Sequence, residues 1–93
     1  MDVSEAVSIA KRHILKLFEE ENITNLGLEE AFFDPSQDFW HVTLSFSRPW
    51  ENPQNALQVL TQATSSPKRS YKIVEISDKN ENVISVKNYN YTM

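Results

Sequence analysis

The sequence predicts an α+β domain, with an amphipathic N-terminal helix packed on a four-stranded antiparallel sheet made of two hairpins. Three observations carry this reading. Residues 4 to 21, "SEAVSIAKRHILKLFEEE", repeat apolar residues at three- and four-residue spacing. "LGLEEAFF" and "FWHVTLSF" read as strands on either side of "DPSQD". "SYKIVEIS" and "VISVKNY" do the same around "DKNEN". One helix followed by paired strands makes a two-layer fold, here a single small domain over residues 1–93.

In the helix, Ala6, Val7, Ala10, His13, Ile14, Leu17 and Phe18 share one face. Ser4 is the expected N-cap, although Val7 stands where a full capping box wants Glu or Gln. Glu19, Glu20 and Glu21 oppose the helix dipole, so the last turn is expected to fray.

In the first hairpin, Asp34 and Pro35 are the residues a type I turn favours at its first two positions. A loop of Asp34 to Asp38 pairs Phe33 with Phe39, Phe32 with Trp40 and Leu28 with Leu44. Leu26, Leu28, Phe32, Trp40, Val42, Leu44 and Phe46 then face the core, and Ala31, Phe33, Phe39, His41 and Thr43 face outward. In the second hairpin, the same kind of loop pairs Ile76 with Ile84 and Val74 with Val86 on the core side. Tyr71 with Tyr89 and Ile73 with Lys87 fall outside. The connector offers Asn52 as N-cap, Pro53 at the first helical position, and an apolar stripe of Ala56, Leu57, Leu60 and Ala63. It reads as a short helix ending near Thr64, with an irregular crossover as the alternative. "SSPKRS" is a loop, and "NYNYTM" extends the last strand before fraying.

Composition narrows the function. Hydrophobic residues at 40% and aromatics at 11% are enough for a packed core and too many for a disordered chain. No cysteine is present, so disulfides and thiolate metal sites are excluded. Two distant histidines give no zinc spacing. A net charge of −4 argues against nucleic-acid partners. A single glycine, Gly27, rules out Gly-rich phosphate loops. "MDVSEAVSIAKRH" has neither a signal-peptide pattern nor a span, and no other segment is apolar for long enough. The expectation is a soluble cytoplasmic protein with no cofactor, no metal and no membrane partner.

The helix, the aromatic-led strand "FWHVTLSF" and the strand–turn–strand "YKIVEISDKNENVISV" together resemble PepSY-type and cystatin-like small domains. Asn80 and Asn82 lie where that turn usually has glycine, and the glutamine–valine–glycine loop of inhibitory cystatins is absent. The resemblance implies a protein that binds or inhibits other proteins and carries no chemistry of its own.

His41 is the residue a catalytic reading selects, with Ala31 opposite it and Glu29 diagonal. No serine or cysteine nucleophile accompanies it, and a partly exposed strand histidine explains it as well. His13 reads as a packed or boundary histidine. The register points Glu30 inward beside Val42, where an unpaired carboxylate is costly. Either Glu30 is a proton-handling acid, or a β-bulge at Glu29–Glu30 or an edge position releases it to water. Glu19 to Glu21 with Glu29 and Glu30 lack the spacing of a calcium or magnesium loop. Lys68, Arg69 and Lys72 form a local basic cluster able to grip a phosphate or an acidic partner, or simply an ordinary polar loop.

The outer face carries the functional expectation. Phe33, Phe39, His41, Tyr71, Ile73 and Tyr89 together have the composition of an interface. The reading is a non-enzymatic protein-binding module, either an inhibitor or immunity-type protein or a homodimer using that face. The alternative is an enzyme or ligand-binding domain with a helix–sheet pocket using Glu30 and His41.

Overall fold

A computed structural model describes residues 1–49 and 69–89. The expected connector helix lies outside them, as do residues 90–93 of the tail, while Asn88 ends the last strand and the Tyr89 N–H still donates to the Tyr71 carbonyl. The chain forms helix α1 (Val3–Leu17), a 3-10 turn (Glu19–Glu21) and strands β1 (Thr24–Asp34), β2 (Phe39–Ser47), β3 (Ser70–Ser77) and β4 (Val83–Asn88). The strands make one antiparallel sheet in the order β1-β2-β3-β4, with α1 packed on one face. The α+β fold of one helix on two hairpins is the one the sequence predicts.

Helix α1 starts earlier than expected. Asp2, not Ser4, is the N-cap: its Oδ1 accepts from the Glu5 N–H at 2.8 Å. Ala6, Ala10 and Ile14 are fully buried, while Val7 and Phe18 pack at the edge of the core. Leu17 departs from expectation and is 54% exposed. Leu17 is the last residue of α1, beyond Ile14, the last helix residue that is fully buried. The three glutamates form the 3-10 turn, which ends at Asn22 in the left-handed region. Glu21 pairs with Arg48 at 2.9 Å, and the Arg48 guanidinium lies over Phe18 and Phe46.

The core is a layer of Ala6, Ala10 and Ile14 against Val42, Leu44, Phe46, Val74 and Ile76. Small alanines let the helix approach β2, and β-branched or aromatic residues fill the sheet side.

The first hairpin corrects the expected register. Asp34 pairs with Phe39, Phe33 with Trp40, Phe32 with His41 and Ala31 with Val42, so the strands run one residue further into the turn. Asp38 takes a positive φ of 57° and closes the shorter loop. A bulge between Leu28 and Glu30 then absorbs the offset, and Leu28 pairs with Leu44 as expected. Phe33 and Ala31 therefore lie on the helix side. Phe32 lies on the outer side and is 47% exposed. Leu28 shares the core face but stays 47% exposed.

The second hairpin pairs Ile73 with Lys87 and Val74 with Val86 as expected. At its tip Ile76 pairs with Val83 rather than Ile84, because an irregularity follows Glu75. Ile84 is the extra residue and is left 47% exposed.

Candidate functional site

Strand alternation and the three registers arrange the face away from α1 in rows across the sheet. The first full row is Phe32, His41, Glu75 and Ser85; the next is Glu30, Thr43, Ile73 and Lys87. Below them Gly27, Ser45 and Tyr71 align, and the Tyr89 N–H donates to the Tyr71 carbonyl at 3.0 Å. Phe39 sits at the other end beside Asp34 and Ser77.

The first row is a chain of contacts. The Phe32 ring stacks on the His41 imidazole at 4.9 Å between centroids. His41 Nδ1 lies 3.5 Å from Glu75 Oε2, and its Nε2 lies 3.8 Å from Asp34 Oδ2. Glu75 Oε1 accepts from Ser85 Oγ and also meets Lys87 Nζ at 3.1 Å. These donors hold the Glu75 carboxyl below its ordinary range, Ser85 most, then Lys87, with His41 adding less. Asp34 is also lowered, chiefly by the hydrogen bond from Ser36 Oγ at 2.6 Å.

The third row is tied by Arg69. Its Nε donates to Ser45 Oγ at 3.0 Å, and its Nη2 donates to the Ser45 and Asn25 carbonyls. Ser45 Oγ in turn donates to Glu29 Oε2 at 2.6 Å. These contacts satisfy the Ser45 hydroxyl, which is fully buried although it points away from the helix. Lys72 instead lies on the helix side, over the Phe18 ring, with its ammonium donating to Asn88. Among the described residues, the expected basic cluster is therefore split between the two faces.

Of the residues singled out from the sequence, Phe39, His41, Tyr71, Ile73 and Tyr89 share the outer face by register. Phe33 does not: its ring packs against Trp40 on the helix side, with centroids 5.2 Å apart. Phe32 stands in its place. Both Glu29 and Glu30 point to the outer face, because the bulge removes the expected inward turn of Glu30. Glu30 and His41 thus share the side of the sheet away from the helix and do not lie between helix and sheet. With Thr43 and Tyr89, the two glutamates line a depression of about 100 Å³.

Sequence reading missed the outer-face places of Phe32, Asp34 and Glu75, and it named Arg69 only as part of the basic cluster. The adjacent Glu29 and Glu30 were the visible sign of a bulge, since two neighbouring carboxylates cannot alternate across a half-buried strand. Among the described residues, no group of three or more His, Cys, Asp or Glu is arranged to hold a metal ion, and no helix is long and apolar enough to cross a membrane. No family model, curated protein or solved structure matches the chain.

Proposed function

We propose that this protein is a protein-binding module that works through the outer face of its sheet. The observation that carries this is the set of aromatic and aliphatic side chains on the side of the sheet away from the helix. Phe32 is 47% and Tyr89 38% exposed at its two edges, with Tyr71 and Ile73 half-buried between them. Around them Glu75 is held by Ser85 and Lys87, and Ser45 by Glu29 and Arg69. His41 stacks on Phe32, with its Nε2 buried and, among the described residues, without a hydrogen-bond partner. Aromatics set among mostly paired polar groups are the composition of binding surfaces, because less ordering remains to oppose association. The likeness to PepSY-type and cystatin-like domains adds the same expectation, a chain that binds or inhibits a protein.

The test is capture from the native host with the wild-type chain and with Phe32→Glu and Tyr89→Glu, each measured with its melting temperature. Loss of an anchoring ring removes about 2 kcal/mol, roughly thirtyfold in affinity. The expected result is loss of capture with melting nearly unchanged. Capture that persists in both variants places the binding surface elsewhere.

A further inference from the structure

We infer that the edge of β4 takes up an extended, acidic segment of a partner protein as a fifth strand, with α1 supplying a basic wall beside it. The inference does not rest on the outer face, and either reading can fail alone.

The sheet has two edge strands, β1 and β4. An edge strand offers unpaired N–H and C=O groups unless something blunts it. At β1 the row is broken by the bulge between Leu28 and Glu30, Asn25 is left-handed, and Arg69 Nη2 already donates to the Asn25 carbonyl. By contrast β4 is regular from Ser85 to Asn88. The Tyr89 N–H points to β3, where it donates to the Tyr71 carbonyl. Antiparallel alternation turns Ser85 and Lys87 the same way, and turns the N–H and C=O of Val86 and Asn88 off the sheet. Among the described residues, no strand pairs with them there.

Charge names the occupant. A groove of about 370 Å³ lies between α1 and the start of β4, walled by Ile9, Arg12, His13 and Lys16 on one side and by Glu81 and Val83 on the other. Ile9 and Val83, which pack against the core, are its apolar part. Arg12 and Lys16 are exposed, and neither forms an ion pair among the described residues. On the opposite side of β4, Lys87 is 63% exposed although it meets Glu75. An added strand alternates its side chains between these two sides, so it meets cations on both. The opposing acids, Glu81 and Glu5, belong to the turn and to the start of the helix. The seat is therefore acidic near the turn and basic towards Lys16 and Lys87, in a chain of net charge −4. A lysine on an edge strand discourages a neutral or basic neighbour and suits an acidic one. A second copy fits poorly, since its β4 carries Lys87 and no acid, and its acidic β1 edge is broken.

The experiment is an NMR titration of the isotope-labelled chain with a short peptide of alternating valine and glutamate, read by chemical shift and amide exchange. Binding should slow exchange at Val86 and Asn88, while Ser85 and Lys87 change little because β3 already holds them. Arg12→Glu and Lys16→Glu, both at exposed helix sites, should each weaken binding about tenfold, and added salt should weaken it too. The same peptide methylated at its amide nitrogens keeps its charge, loses its donors and should not bind. No binding at millimolar peptide overturns the inference, as does equal binding by the methylated peptide or by a valine–lysine peptide. Shifts confined to Arg12, His13 and Lys16, with Val86 and Asn88 exchanging as before, also overturn it, because the groove then holds an anion and no strand is added.

Discussion

Phe32 lies flat against His41, with only 7° between the two ring planes, while its neighbour Phe33 turns the other way to meet Trp40. Two adjacent phenylalanines thus serve two different layers. One closes the helix side of the sheet, and the other is offered to whatever lies beyond it.

The pair should separate cleanly in stability. Phe33→Ala removes a ring packed on Trp40 and is expected to cost about 1–3 kcal/mol, less than a fully buried phenylalanine because Phe33 is partly exposed. Phe32→Ala loses the stack on a half-exposed ring and should cost about 1 kcal/mol or less. Urea unfolding of both variants checks this, and a reversed order would mean that Phe32 is the buried partner.

In the helix, Ile14→Ala should cost about 2–5 kcal/mol, since Ile14 is fully buried in the layer against the sheet. Leu17→Ala should cost under about 1 kcal/mol at its exposed site. Thermal melting resolves the two, because about 1 kcal/mol moves the midpoint of so small a domain by several degrees. Equal losses would place Leu17 in the core after all.

The helix start gives a third comparison. Asp2→Ala removes the oxygen that accepts from the Glu5 N–H and should cost about 0.5–2 kcal/mol. Ser4→Ala lies inside the helix and should be close to neutral. Amide exchange across the first turn, read with melting, distinguishes the two, and a larger loss at Ser4 would return the cap to that residue.

Acid should weaken the fold through Asp34 and Glu75. Both carboxyls are held below their ordinary values in the folded chain, Asp34 mainly by Ser36 and Glu75 mainly by Ser85. A lowered folded value stabilises the protein above the unfolded carboxylate range of about 4 to 4.5. That stabilisation is lost as pH falls through the folded values. Ser85→Ala should move the Glu75 titration back upward in carboxyl NMR and reduce the acid sensitivity of the urea midpoint. An unmoved Glu75 titration would show that Ser85 does not hold it.

The helix and the second hairpin were legible because their patterns leave one solution. Ala6, Ala10 and Ile14 recur at four-residue spacing, and Val74, Ile76 and Val86 alternate with Glu75, Ser85 and Lys87. At the first hairpin the pattern is silent where it matters. Phe32 and Phe33 are both apolar, so alternation alone does not choose which one faces the core. The turn decides it, through the left-handed Asp38, which has no strong residue signature, and the bulge beside Glu29, which the adjacent carboxylates did signal. The outer face was foreseen as a surface, but its wiring was not. The Arg69 strap across Ser45 and the His41–Glu75–Ser85 chain depend on which strands become neighbours.

The order of the strands in space is also their order along the chain. Such a meander is built almost wholly from contacts between successive segments, which favours rapid folding. Each hairpin can zip from its own short turn. The long closure joins β2 to β3 across everything between Ser47 and Ser70, and lengthening that stretch adds only about 0.6 kcal/mol per doubling. The rate-limiting event is therefore expected to be the pairing of β2 with β3. Substitutions at Val42 and Val74, which face each other across that seam, should slow folding more than they speed unfolding.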